Sequence, residues 1–97
     1  MLQVFTKDVS TLVLDGINPE KDIEAVNAHI RLCKCENMTV DITHLNIIDA
    51  CMVSTICSTA HFMKYPGGKI DWITNSKDIE TFISGMKLGN SHYIYNP

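Results

Sequence analysis

Apolar residues recur along this chain at two spacings, and the changes of spacing divide it into predicted strands and helices. Residues 38–42 are apolar at every second position, which is typical of a strand with one polar face. Ile23, Val26, Ile30 and Cys33 recur at steps of three and four, which indicates one buried stripe on a helix. The predicted strands are residues 2–5, 11–14, 38–42, 70–73 and 93–95, and the predicted order is ββαβαβαβ.

Residues that cap helices support this division. Asn18 and Pro19 predict the start of the first helix, because Asn accepts from free amides and Pro presets the helical φ. Asp49 is expected to cap the second helix, and Asn75 and Ser76 are alternative caps for the third. The predicted stops are Pro66 to Gly68 for the second helix and Gly89 for the third.

Strands that alternate with helices after an N-terminal β-hairpin predict an α/β fold with a mixed, mostly parallel sheet and three main helices. At 97 residues the chain has room for one core, so residues 1–97 are expected to be a single domain. The longest uncharged stretch, residues 50–63, is too short and too polar to span a bilayer and predicts the most buried helix. Lys7 and Asp8 interrupt any secretory signal, so we expect a cytoplasmic location.

The net charge and the basic residues make several binding functions less expected, namely binding of nucleic acid, anionic lipid and phosphate. Eight basic residues against eleven acidic ones give a net charge of −3, the wrong sign for binding nucleic acid or anionic lipid. Arg31 is the single arginine, so a phosphate site would depend on lysines or backbone amides. The chain has no glycine-rich nucleotide motif, and we expect no cofactor.

Four cysteines raise the question of a metal site. Cys33 and Cys35 form a Cys-x-Cys pair that His29 or His44 could complete. Zinc knuckles use a wider cysteine spacing and a second pair, so we expect no metal. Without an export signal the thiols are expected to be reduced.

Two turns and the central strand resemble a known family. Residues 14–18 resemble the glycine turn of the STAS domain, typified by bacterial anti-sigma factor antagonists, and residues 38–42 resemble its central strand. Residues 45–49 look like the hydrophobic approach to its signature. The resemblance covers the whole chain and implies a STAS-like fold. It also implies a non-catalytic protein-interaction module that acts in signalling and transcription regulation by binding an anti-sigma factor of the serine-kinase ATPase type.

The family signature, Asp-Ser-Ser-Gly, is altered here. Residues 49–52 read Asp, Ala, Cys and Met, so only Asp49 matches and Cys51 replaces the serine that the family phosphorylates. A phosphate at a helix N-terminus meets free amides yet adds about −2 charge to a docking surface. Since a thiol is not a substrate for that kinase reaction, the resemblance implies a partner-binding protein without the phosphorylation switch.

The expected site is therefore a binding surface, with no catalytic residue. Two alternatives remain open: a STAS subunit that binds the ATPase of a lipid-transport ABC system, and a thiol-dependent redox protein. The second would use Cys51 near the start of a helix, but no base, oxyanion donor or cofactor motif accompanies it. The expected partner-binding residues are His44, Asn46, Asp49, Ala50, Cys51 and Met52.

Overall fold

The computed structural model describes residues 11–33 and 36–97, in which strands and helices alternate. The predicted strand at residues 2–5, and with it the hairpin, lies outside the described residues. The elements are β1 (Thr11–Val13), α1 (Pro19–Cys33), β2 (Asn37–Asp41), α2 (Ile47–Lys64), β3 (Lys69–Thr74), α3 (Lys77–Ser84) and β4 (Ser91–Tyr95).

The four described strands form one parallel sheet in the order β1-β2-β3-β4. This confirms an α/β fold with three helices and the parallel part of the predicted sheet. Connections between parallel neighbours are almost always right-handed, so a sequential order places all three helices on one face of the sheet. In agreement with this placement, α2 contacts both α1 and α3.

The core lies between that face and the helices. Register aligns Leu12, Val40, Trp72 and Tyr93 in one row across the strands. Trp72 is fully buried, and its ring stacks on that of Tyr93 at a centroid distance of 6.3 Å. The indole Nε1 donates to the Ser91 hydroxyl at 3.0 Å, so its polar atom is satisfied within the core.

The opposite face of the sheet carries polar and apolar side chains together. One row aligns Thr39, Asp71 and His92, and His92 Nδ1 lies 3.8 Å from Asp71 Oδ1. A second row aligns Asp41, Ile73 and Ile94. None of the described helices packs on this face. His92 and Ile94 at its edge are exposed, and Thr39, Asp41, Asp71 and Ile73 are partly exposed.

The predicted start of α2 is wrong, because Asn46 and not Asp49 is the N-cap. The Asn46 side chain accepts from the Asp49 amide at 2.8 Å and donates to the Asp49 carboxylate at 3.4 Å, which resembles a capping box. Leu45 and Ala50 on either side of the cap are buried in the same core, which fixes the chain where the helix begins. Ile47 and Ile48 are therefore helical.

The predicted end of α3 is also wrong. The helix begins after Ser76, one of the two predicted caps, whose hydroxyl accepts from the Ile79 amide at 3.3 Å. It ends at Ser84, well before Gly89. Lys87 has a φ of 55°, a left-handed conformation that a continuing helix cannot contain.

Candidate functional site

The three helices begin at one edge of the sheet, where the parallel strands end. Asn18 caps α1 by accepting from the Glu20 and Lys21 amides at 2.9 and 3.2 Å, and Asn46 and Ser76 cap the other helices. Sites of open α/β sheets form at this edge, because the loops that leave the strands converge there. Residues 44–52, which sequence analysis singled out, lie here.

The helix predicted to be the most buried is buried along one face only. Its buried residues are Ala50, Val53, Ser54, Cys57, Ser58 and His61. On the outward side, five large apolar side chains are between 40% and 78% exposed. We call these the α2 face: Ile48, Met52, Ile56, Phe62 and Met63. No charged residue occurs between Asp49 and Lys64, so the polar groups on this side of the helix are uncharged, with Thr55 and Thr59 exposed.

A groove continues the α2 face towards α3. We call it the α2–α3 groove; its cavity of about 370 Å³ is lined by Ile47, Ile48, Cys51 and Phe82. The Phe82 side chain is 57% exposed, although its spacing in the sequence predicts a core position. The groove and the face together form an apolar surface on two adjacent helices. The spacing of apolar positions does not distinguish Ile56, Met63 and Phe82, which are exposed, from core residues.

Most of the expected partner-binding residues reach this region, but Ala50 does not reach the surface. His44, Asn46 and Met52 are exposed, and Asp49 and Cys51 are partly exposed. Ala50 is fully buried beneath the helix start. Ala50 therefore offers no surface for direct contact in this structure, because its methyl group packs into the core.

The position of Cys51 does not favour a reactive thiol. Since α2 begins at Ile47, Cys51 is its fifth residue and lies beyond the free amides of the first turn. Burial raises the pKa of the Cys51 thiol above its usual value. Burial also raises the pKa of Cys57, which is fully buried in the core, to about 12.

Alkylation kinetics check this assignment. We expect iodoacetamide to label Cys51 slowly at neutral pH, with a rate that keeps rising with pH beyond the point where an ordinary thiol levels off, because the thiolate is the reacting species. Cys57 should be labelled only after unfolding. Peptide mass spectrometry across pH, with a Cys51→Ser control, separates the two sites. A Cys51 labelling midpoint at or below neutral pH would contradict this account.

Hydroxyl groups on the buried side of α2 already make hydrogen bonds within the protein. Ser54 Oγ donates to the Ala50 carbonyl at 2.7 Å, and the Ser58 hydroxyl bonds that of Ser91. The exposed Thr59 hydroxyl donates to the Thr55 carbonyl at 3.0 Å. Ser54 and Ser58 are thus part of the packing, and neither offers an accessible hydroxyl in this conformation.

The glycine turn after β1 packs directly on the loop that leads to α2. Gly16 has a φ of 75°, and a Cβ placed on it would lie 2.2 Å from the His44 carbonyl oxygen. The Ile17 amide donates to Asp15 Oδ1 at 3.0 Å, which holds the turn locally. The glycine is required both for the left-handed conformation and for this close approach.

Asp22 in the first turn of α1 is buried behind that turn. Its side chain is only 4% exposed. Burial raises the pKa of the Asp22 carboxyl above its usual value, and the nearby Asp15 carboxylate adds to this effect. The Gly16 amide, a hydrogen-bond donor to the charged form, opposes the shift, while Asp49 reinforces it. Three carboxylates from separate elements thus share this edge of the sheet.

We expect Asp22→Asn to stabilise the protein at pH 7, by about 1 kcal/mol, because it removes a buried charge beside Asp15. A carboxyl whose folded-state pKa lies above its ordinary value of 3.8 favours folding only while protonated. That contribution is lost as pH rises through the folded-state pKa. The difference between variant and wild type in urea unfolding should therefore grow with pH in the acidic range.

Asp78→Asn is the matched control, since Asp78 also lies in a first helical turn but is exposed. Its unfolding free energy should change by less than about 0.5 kcal/mol and show no matching pH dependence. Equal effects of the two substitutions would show that burial of Asp22 does not matter.

Within residues 11–33 and 36–97, no group of three or more His, Cys, Asp or Glu side chains is arranged to hold a metal ion. The Cys33 side chain and Cys35 lie outside the described part of the chain, so the Cys-x-Cys pair is not covered by this finding. The described helices also include none that is long and apolar enough to cross a membrane.

Comparisons with models of known protein families, with curated proteins and with solved structures found no match. What the fold defines is the class: an α/β domain with a four-stranded parallel sheet and three helices. Its most distinctive surface is the apolar one formed by the α2 face and the α2–α3 groove.

Proposed function

We propose that this chain is a non-catalytic protein-interaction module that docks a protein partner on the α2 face and the α2–α3 groove. The observation that carries the proposal is the row of large exposed apolar side chains on α2, uninterrupted by charge. A monomeric protein rarely exposes a contiguous apolar patch of this kind unless another molecule covers it.

The dimensions of the surface suit a protein partner. A helix of 18 residues is about 27 Å long. Phe82 extends the exposed apolar surface sideways onto α3, and Met86, just after the helix, is also exposed. Standard protein interfaces bury about 800 Å² on each partner, and a patch on two helices offers more of that area than one helix does. The groove would take an apolar side chain of the partner, and Met52 can adjust its shape to the contact.

The resemblance to STAS domains supports one kind of partner. In that family the start of the second helix contacts a serine-kinase ATPase that acts as an anti-sigma factor. We infer a partner of this chemical type, bound without a phosphorylation switch because the resemblance aligns Cys51 with the serine that the family phosphorylates. The raised pKa of Cys51 disfavours the alternative in which this thiol performs redox chemistry.

Site-specific photo-crosslinking in the native host tests the proposal. A photoreactive phenylalanine analogue replaces Met52 in one strain and Asp71, on the opposite face of the sheet, in a second strain. We expect position 52 to capture one dominant protein that carries an ATPase domain, and position 71 not to capture it. Mass spectrometry identifies the captured chain.

Two results would overturn the proposal. Capture of the chain by itself at position 52, with a dimer in light scattering, would assign the surface to self-association. Capture of a partner from position 71 but not from position 52 would place docking on the sheet.

A further inference from the structure

A second concave site lies where β1 ends and α1 begins, apart from the groove described above. Its cavity has a volume of about 380 Å³. Asp15 and Asp22 line it with carboxylates, while Val13 and Ile17 provide apolar walls. The carboxylates come from the turn after β1 and from α1, so two elements converge on the same cavity.

Asp22, which lines this cavity, has a carboxylate oxygen that lacks a hydrogen-bond donor. Its side chain is more than nine-tenths buried, and Oδ2 is buried with no hydrogen-bond partner in the structure. Leaving a buried carboxylate oxygen without a donor is costly, and native proteins rarely do so. The neighbouring Asp15 and Asp49 carboxylates are also negative, so a positively charged donor is the group that this site would favour most.

Lys21 lines the same cavity but does not donate to Asp22 Oδ2. It is adjacent to Asp22 on α1, and consecutive residues of a helix do not face each other. A divalent metal is also disfavoured, because the described residues provide no cluster of three suitable ligands here.

The apolar walls of the cavity indicate which kind of molecule should carry the positive charge. Val13 and Ile17 are 59% and 84% exposed, so two large apolar side chains beside the carboxylates are in contact with solvent. Alkyl chains that end in an ammonium or guanidinium group pack their methylenes on apolar surface while the charged end bonds to acceptors.

We propose that this cavity binds a cationic group on an alkyl chain, with Asp22 and Asp15 accepting hydrogen bonds and Val13 and Ile17 packing on the methylenes. An ammonium or guanidinium group of this kind occurs in free amines and in lysine or arginine side chains of a protein. The proposal stands independently of docking on α2.

Nuclear magnetic resonance titration with n-butylguanidinium tests the site. We expect saturable shifts of the Gly16, Ile17 and Asp22 amides, at millimolar concentration because the probe is small. Asp22→Asn should weaken binding about tenfold or more, since a charge-assisted acceptor is lost. The Asp78→Asn control should bind as wild type does. Pentanamide, a neutral analogue of similar length, should give no saturable shift.

Equal shifts from pentanamide would overturn the proposal, because only apolar contact would then be involved. An unchanged affinity of Asp22→Asn for n-butylguanidinium would also overturn it. The same holds if Ca²⁺ gives saturable shifts of these amides while n-butylguanidinium gives none. If the probe binds and Asp22→Asn also weakens capture of the docked partner, the source is a basic side chain of that partner. If capture is unchanged, the source is a free amine.

Discussion

Met52→Arg is expected to weaken partner binding at least about 100-fold without unfolding the protein. Met52 lies on the α2 face beside the groove and is 40% exposed, so the free chain can point a guanidinium into water. In the complex the same charge would be buried against apolar groups, at a cost of several kcal/mol. Calorimetric titration of the captured partner measures the loss, and thermal unfolding of the free variant verifies the fold.

Two further variants make this result specific. Met52→Leu conserves volume and apolar character and should bind within a few fold of wild type. His92→Arg introduces the same guanidinium on the opposite face of the sheet, where His92 is exposed, and should leave binding unchanged. If the Met52→Arg variant is folded and binds the partner as tightly as wild type, the α2 face is not part of the interface.

Gly16→Ala is expected to destabilise the fold by about 2 to 4 kcal/mol. A left-handed φ costs a side chain about 1 to 2 kcal/mol, and the added methyl group would overlap the His44 carbonyl oxygen unless one loop shifts. In a domain of this size the thermal midpoint should fall by about 10 to 25 °C.

Gly89→Ala is its matched control, because a Cβ at Gly89 would meet nothing within 4 Å and no positive φ is involved. It should change the unfolding free energy by less than about 0.5 kcal/mol. Similar midpoints for the two variants would show that the glycine turn does not pack on the loop before α2.

Local signals predicted the described fold well. The Asn18–Pro19 pair predicts the observed start of α1, since capping depends on neighbouring atoms of the chain. The predicted start of α2 is wrong because Asn46 and Asp49 are both good N-cap residues. The choice between them depends on Leu45, which tertiary packing buries. A sequence pattern does not contain that contact.

The site was harder to predict, because periodicity does not show what covers a helix. Ile56 and Met63 are apolar positions of the helix that the sequence predicts to be the most buried, yet both side chains are exposed. With all helices on one side of the sheet, α2 buries one face against the strands and its neighbours. The remaining apolar positions have no described layer above them. Apolar residues around much of a helix could have indicated a surface for a second molecule.

Asp22 illustrates the same limit for charge. An acid in the first turn of a helix is ordinarily read as favourable to the helix dipole. Its raised pKa arises from burial and from Asp15 and Asp49, which the fold brings in from the turn after β1 and from α2. Sequence spacing alone does not place these three carboxylates together.

Hydrogen–deuterium exchange on the purified complex with the captured partner tests the docking surface most directly. On binding, we predict slower exchange in residues 47–56 and 77–86, which contain the α2–α3 groove and the N-terminal half of the α2 face. The C-terminal half of α1 should exchange as it does in the free protein. Protection confined to the sheet strands, with residues 47–56 unchanged, would contradict docking on α2.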